Sequence, residues 1–216
     1  MVTLIDLTIP IQGGTPSFPG EPGSHVLPFA NLAVQGWVAH QLLLYTHLGT
    51  HVDAPMHFLP DGGGVETWPL AQLCGPAMVA RLNGEPSGRE VGYDDFDWPR
   101  PPAAGDRVLL ATGWGRRWGK AGYFTGFPNL ALPFVQRLAE DRIALLGMDT
   151  PTPHETEPKA VHEALLGRRV AVLEGLVHLD ELPSAFGELI CLPLPLVGLD
   201  GAPCRAVWRT TGEAPR

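Results

Sequence analysis

The chain has 216 residues, of which 44% are hydrophobic and 18% charged, so we expect one large, well-packed globular domain. Its net charge of −8 excludes a broadly nucleic-acid-binding surface. The N-terminal stretch lacks the features of a signal peptide, and no apolar run reaches the length of a membrane helix, so we expect a cytoplasmic protein without a membrane partner.

Short apolar segments predict eight β-strands. Some alternate between apolar and polar residues and others are apolar throughout, so we expect both half-buried and fully buried strands. In chain order the predicted strands are residues 2–7, 38–45, 78–82, 108–111, 144–148, 170–173, 189–192 and 206–208.

Two helices are predicted in the second half of the chain. Residues 133–141 have apolar side chains at helical spacing behind an early proline, and Pro158–Leu166 has the same pattern with Gly167 as its end. Each helix is followed by an apolar strand. This alternation predicts the α/β class, with a strand-rich first half and helix-to-strand units in the second.

The three cysteines, Cys74, Cys191 and Cys204, lie far apart in the sequence and form no CxxC pair. This spacing is typical of reduced thiols in a cytoplasmic protein. We expect each to act as a small buried hydrophobic residue.

The segment THLGTHVDAPMHF, residues 46–58, holds three of the eight histidines. Glycine and proline within it disfavour a helix. In an extended chain His47, His51 and Asp53 point to one face, but a straight strand would separate the two histidines by roughly 13 Å. We therefore expect a bend at Gly49, where glycine tolerates the backbone angles required.

Two imidazoles and one carboxylate form an ordinary zinc ligand set, and three protein ligands leave a coordination position open. His57 follows Pro55, so we expect it to face the site from a loop, as a fourth ligand or as a proton-transfer residue. The alternative is a group of core or surface histidines with satisfied hydrogen bonds. Complementary ligands on one face make this interpretation less favourable.

The pattern HxGTHxDxPxH, from His47 to His57, resembles the signature of the bacterial kynurenine formamidase group within the cyclase family of metal-dependent hydrolases. The resemblance extends over most of the chain, through LIDLTIPI, GMDTPTP, AVHEALL, VLEGL and ELICLPLPLVGLDGAPCRAV, and is weakest over residues 84–102. It implies an α/β fold in which residues 1–216 form a single domain of the swivelling β/β/α type. Its core would be a mixed, β-barrel-like sheet with surrounding helices.

The resemblance also supplies further metal ligands, His162 and Glu174. Both fit their own segments, because His162 lies on the apolar stripe of its helix and Glu174 ends an apolar strand, where a buried carboxylate needs a partner. The family pattern implies two divalent ions, most simply zinc, with manganese as an alternative. One would be held by His47, His51 and Asp53, and the other by Asp53, His162 and Glu174, with His57 moving protons.

The implied reaction is hydrolysis of N-formyl-L-kynurenine in tryptophan degradation. A close alternative is another amide or cyclic-amide hydrolase, such as an isatin hydrolase, and a third is a non-catalytic metal-binding protein, which an open metal site disfavours. Phe18 matches an aromatic substrate-contacting position, although packing on the core is an equal alternative. Glu21 replaces the aspartate usual in this turn. The family also implies a homodimer.

The other histidines are given no functional role. His154 lies in the loop TPTPHETEP, where the family often has an acidic or small residue, so we do not expect it to be a ligand. His25, His40 and His178 match no functional position and are expected to be structural or exposed.

Overall fold

The computed structural model describes residues 2–86 and 88–210, and thirteen β-strands lie within them. In chain order they are β1 (Leu4–Asp6), β2 (His25–Ala30), β3 (Ala39–Leu43), β4 (His51–Asp53), β5 (Cys74–Leu82), β6 (Glu90–Val91), β7 (Phe96–Asp97), β8 (Arg107–Ala111), β9 (Asn129–Leu130), β10 (Leu145–Met148), β11 (Ala171–Glu174), β12 (Phe186–Pro193) and β13 (Gly201–Arg209).

Seven of these strands close into a barrel. Their order is β13, β12, β5, β8, β10, β11 and β4, and β4 pairs back with β13. The strands β5, β8, β10 and β11 are parallel to one another, whereas the remaining barrel pairs are antiparallel. Outside the barrel, β1 extends β13, β7 pairs with β5, and β2–β3 and β6–β9 form separate two-stranded sheets.

Four α-helices and five 3-10 helices connect the strands. They are α1 (Leu32–Gln35), α2 (Leu70–Leu73), α3 (Leu132–Glu140) and α4 (Pro158–Leu166), with 3-10 helices at Pro55–His57, Val65–Thr67, Tyr93–Asp95, Trp114–Arg117 and Leu179–Glu181. Within the described ranges, none of these helices has the length and apolar character needed to cross a bilayer.

The helices α3 and α4 confirm the predicted helix-to-strand units. Each is amphipathic and begins with a proline in its first turn, and each leads into the next parallel strand of the barrel. Every residue of β8, β10 and β11 is buried, because the barrel interior covers one face and surrounding elements cover the other.

All eight predicted strands are present, with shifted ends. β5, β12 and β13 extend well beyond the predicted limits because pairing with neighbours continues past the apolar runs. The eight predicted strands do not include β2, β4, β6, β7 and β9. In β2, Pro28 interrupts the strand pattern and most side chains are exposed. Cys191 and Cys204 are buried as expected, whereas Cys74 is half-buried, and all three are free thiols.

Candidate metal centre

Strand register brings three of the candidate ligands together: His51, Asp53 and Glu174. In the antiparallel pair β4–β11, Glu174 lies opposite His51 and Val172 lies opposite Asp53. Opposed residues point to the same face of a sheet, and so do residues two apart in one strand. The Nε2 atom of His51 therefore lies 3.3 Å from Glu174 Oε2 and 3.4 Å from Asp53 Oδ1.

The helix α4 contributes His162 to the same cluster. Its Nε2 atom lies 3.2 Å from Asp53 Oδ2 and 3.1 Å from Glu174 Oε1. The Nδ1–H groups of both His162 and His51 donate to backbone carbonyls, those of Pro158 at 2.7 Å and Gly49 at 3.0 Å. Each ring therefore presents its other nitrogen, Nε2, to the carboxylates.

His47 completes the cluster from the turn before β4. Gly49 takes a φ of 63°, which confirms the predicted bend and allows His47 to turn back toward Asp53. His47 Nδ1 lies 2.9 Å from Asp53 Oδ1, and its Nε2 lies 2.9 Å from Asp200 Oδ2. Asp53 thus faces His47 and His51 with Oδ1 and His162 with Oδ2.

Asp200 is a member of the site that the sequence did not identify. It directly precedes β13, and β13 is next to the ligand strand β4 because the barrel closes there. The only sequence signal was its place in the closing segment GLDGAP, which carries no ligand spacing. Asp200 can orient His47, as carboxylates beside metal-binding histidines commonly do.

His57 also lies close to the cluster. It ends the 3-10 helix Pro55–His57, so the expected loop is wrong: Pro55 occupies a first-turn position where its missing N–H is not needed. The His57 ring stacks on His47 with ring centres 4.0 Å apart, and its Nδ1 is 3.7 Å from Asp200 Oδ2. His47, Asp53 and His57 lie near enough to one another to hold an ion.

The side chains fit a divalent metal ion. His51 Nε2 and Asp53 Oδ2 are buried and have no hydrogen-bond partner among the described residues. Ligands 2.0–2.1 Å from zinc stand about 3.3 Å apart at the corners of a tetrahedron, which matches the distances between these carboxylates and imidazoles. Two buried carboxylates, Asp53 and Glu174, also require a positive charge between them.

The pKa values reflect the same electrostatics. Burial lowers the pKa of His47, but hydrogen bonds with Asp200 and Asp53 outweigh it and raise this pKa to about 9. The pKa of His162 is likewise raised to about 10 by Asp53 and Glu174 against the effect of burial. Burial raises the pKa of Asp53, yet the surrounding histidines hold it well below its usual value. The cluster therefore keeps its carboxylates ionised and favours a cation.

The cluster opens into a cavity of about 260 Å³ at the carboxyl ends of the parallel strands. One wall is aromatic, and it is formed by Phe18, Trp118, Tyr123 and Phe124. Phe18 both lines the cavity and packs edge-on against Phe124, with ring centres 6.0 Å apart. The two interpretations of Phe18, packing and substrate contact, are therefore compatible.

The remaining residues in question are also located. His154 is buried and lines the cavity, and its Nδ1 atom accepts hydrogen bonds from the backbone N–H groups of Thr156 and Glu157. Among the described residues, two groups could hold an ion, and His154 is in neither of them: His47, Asp53 and His57, and His51, Asp53 and Glu174. Glu21 accepts a hydrogen bond from Tyr45 at the rim. The three histidines without a predicted role, His25, His40 and His178, are exposed.

The chain is similar to known proteins over most of its length. The Cyclase family model, described as "Putative cyclase", matches residues 5–155. The chain is 34% identical to kynurenine formamidase of Paracidovorax citrulli (strain AAC00-1), covering 96% of both chains. It is 31% identical to kynurenine formamidase of Sphingopyxis alaskensis, covering 97% of this chain and 99% of that one.

Solved structures share the fold over nearly the whole chain. A potential metal-dependent hydrolase with cyclase activity superposes with a TM-score of 0.82 at 26% identity, covering 99% of this chain and 100% of the other. Isatin hydrolase A of Labrenzia aggregata has the same fold, with a TM-score of 0.81 at 24% identity, covering 97% and 94%.

The fold and these matches define a metal-dependent amidohydrolase that uses a divalent metal, and its histidine and carboxylate cluster could hold the ion. The chain belongs to the cyclase family.

Proposed function

We propose that this protein hydrolyses N-formyl-L-kynurenine to L-kynurenine and formate. The observation that carries the proposal is the position of the cluster around Asp53 at the base of a cavity with an aromatic wall. An aryl ring can pack on this wall while its formamide reaches the cluster. The names of the two relatives, both kynurenine formamidases, support the same substrate.

We further propose two zinc ions per chain, with manganese as the alternative. The two oxygens of Asp53 face different histidines, which suits a bridging carboxylate. His47 and His51 would complete the ligands of one ion, and His162 and Glu174 those of the other. Bound ions of this kind lower the pKa of a water molecule, so that a nucleophile is available at neutral pH.

His57 would move the protons. Burial lowers the pKa of His57, so its ring is neutral at pH 7 and can accept a proton from the attacking water. With Nδ1 turned toward Asp200, Nε2 is the atom that carries this proton to the leaving nitrogen. The leaving group of an aryl formamide is an aniline, which departs more readily than an alkylamine, so one shuttle histidine is sufficient.

A homodimer forms part of the proposal. The β2–β3 hairpin and α1 stand apart from the barrel and expose large apolar side chains that a second copy could cover. These are Val26, Leu27, Phe29, Leu32, Val34, Trp37, Val38, Leu42 and Leu43. The free thiols fit a reducing compartment, so the activity would belong to cytoplasmic tryptophan degradation.

The decisive experiment is a turnover assay of metal-loaded protein on N-formylkynurenine, formanilide, isatin and an aliphatic N-formyl amino acid. We expect the highest kcat/KM for N-formylkynurenine. A higher value for isatin would establish the cyclic-amide alternative instead. Absence of turnover on all four by protein with full metal content would favour the non-catalytic alternative.

A further inference from the structure

Tyr123 lines the cavity beside the metal-binding cluster and carries a buried hydroxyl without a partner. Its side chain is 3% exposed and lines the cavity, and its hydroxyl has no hydrogen-bond partner among the described residues. Burying an unpaired hydroxyl is unfavourable, so such a group calls for an explanation. The unpaired atoms of His51 and Asp53 belong to the candidate metal centre, where a bound ion would engage them.

The Tyr123 ring is held firmly in place. Trp114 Nε1 donates a 2.7 Å hydrogen bond to the backbone carbonyl of Tyr123, and Trp118 and Phe124 pack edge-on against the ring at 5.1 and 4.9 Å. The turn that carries Trp114 is fixed in turn by Asp149, which accepts hydrogen bonds from the backbone N–H groups of Thr112 and Gly113. The hydroxyl therefore has little freedom to turn toward another partner.

The environment of this hydroxyl keeps it protonated, so that it can donate a hydrogen bond. Burial, and then the negative charges of Asp149 and Glu174, raise the pKa of Tyr123 above its usual value. A buried phenol that stays neutral keeps its proton and can donate a hydrogen bond to an incoming oxygen atom.

We propose that the Tyr123 hydroxyl donates a hydrogen bond to the carbonyl oxygen of the amide under attack. When water adds to the carbonyl carbon, the π electrons move to this oxygen, and the donated hydrogen bond stabilises the growing negative charge. The phenol keeps its proton throughout. The inference rests on the proposed amide hydrolysis but applies to any amide substrate of the site.

Tyr123→Phe tests the proposal because it removes only the hydroxyl. We expect kcat to fall roughly 10²-fold, as for loss of one oxyanion donor, with KM nearly unchanged on both N-formylkynurenine and formanilide. Metal content should be unchanged, and the midpoint of thermal unfolding should stay the same or rise, because the lost group was unpaired. Tyr93→Phe, outside the cavity, is the matched control and should retain full kcat.

Four results would overturn the proposal. An unchanged kcat would make the hydroxyl a packing group, and a KM effect limited to N-formylkynurenine would place its contact on the remainder of the substrate. A fall in metal content would make it a support for the ligands. If the wild type hydrolyses isatin only, the proposed substrate fails, and the same comparison on isatin still decides the role of Tyr123. Absence of turnover on every amide would refute both.

Discussion

Asp53 is the side chain that all three candidate ligand histidines approach within 3.4 Å. It is fully buried, and its two oxygens face His47, His51 and His162. Such a carboxylate is tolerated in the interior only when positive charge surrounds it. Its backbone is also fixed, because the indole N–H of Trp68 donates to the Asp53 carbonyl at 2.8 Å. The position of the proposed ions would therefore depend on this residue first.

His57 and His51 should respond differently to substitution by alanine. His57→Ala should lower kcat about 10²- to 10⁴-fold, the usual contribution of a positioned acid/base group, and should keep the metal content of the wild type. His51→Ala should lose metal and activity together, since His51 Nε2 faces both buried carboxylates. Elemental analysis and kcat measured on the same samples separate the two effects.

The geometry leaves a clear way for this prediction to fail. His57 lies within ligand distance of His47 and Asp53. If His57→Ala binds one ion fewer than the wild type, His57 is a ligand and another group must move the proton.

Two glycines allow the ligand-bearing elements to approach each other closely. Gly49 lies between His47 and His51, and Gly175 directly follows Glu174. A Cβ atom on Gly175 would lie 2.5 Å from the carbonyl oxygen of Gly49, and the φ of Gly175 is 66°. The distance between the β4 and β11 ligands is therefore set partly by the absence of a side chain at residue 175.

Gly175→Ala should consequently destabilise the protein more than its backbone angle alone requires. Gly198→Ala is the matched control, because Gly198 has a similar φ of 72° and open space around it. We expect the control to lower the free energy of unfolding by about 1–2 kcal/mol, and Gly175→Ala to lower it by about 1–3 kcal/mol more, through the steric clash. Denaturant unfolding and metal titration would measure both effects. Equal losses in the two variants would show that the close approach is unimportant.

At the scale of the whole molecule, metal binding and folding should be linked. Asp53 and Glu174 are buried on neighbouring strands of the closed barrel, so removing the ion leaves only the neighbouring histidines to compensate their charges. Chelation should lower the unfolding midpoint, and adding zinc should restore it in proportion to the logarithm of zinc concentration.

The same samples test the number of ions. Elemental analysis should give two ions per chain in the wild type and a lower content in Glu174→Ala. One ion per chain at saturation, together with unchanged content and activity in Glu174→Ala, would refute the binuclear proposal.

Association is the other property of the whole molecule that can be tested. Phe29 and Val34 are 70% and 77% exposed on the β2–β3 hairpin and α1. Phe29→Asp should shift the protein from dimer to monomer in light scattering, because burying an unpaired charge in an apolar interface is costly. Leu70→Asp, at an exposed apolar residue elsewhere on the surface, should leave the mass unchanged. A monomeric wild type would contradict the proposal directly.

Local patterns in the sequence determined much of this protein. The apolar segments predicted every barrel strand except β4, and the helical stripes predicted α3 and α4, because each pattern records the burial of its own segment. The spacing of His47, His51 and Asp53 predicted one ligand face. It also predicted the bend at Gly49, because a straight strand would hold the two histidines too far apart. The resemblance to the cyclase family added His162 and Glu174, and these two side chains do meet the ligand face.

Only the tertiary structure decided which distant residues join this face. Asp200 is 153 residues from His47 in the chain, and it reaches His47 because β13 closes the barrel beside β4. Tyr123 and His154 reach the cavity because the loops after β8 and β10 meet at the carboxyl ends of parallel strands. The β2 strand exists through pairing with β3 rather than through its own burial. Strand order and barrel closure depend on pairings between remote segments, and no single segment of the sequence records its partner.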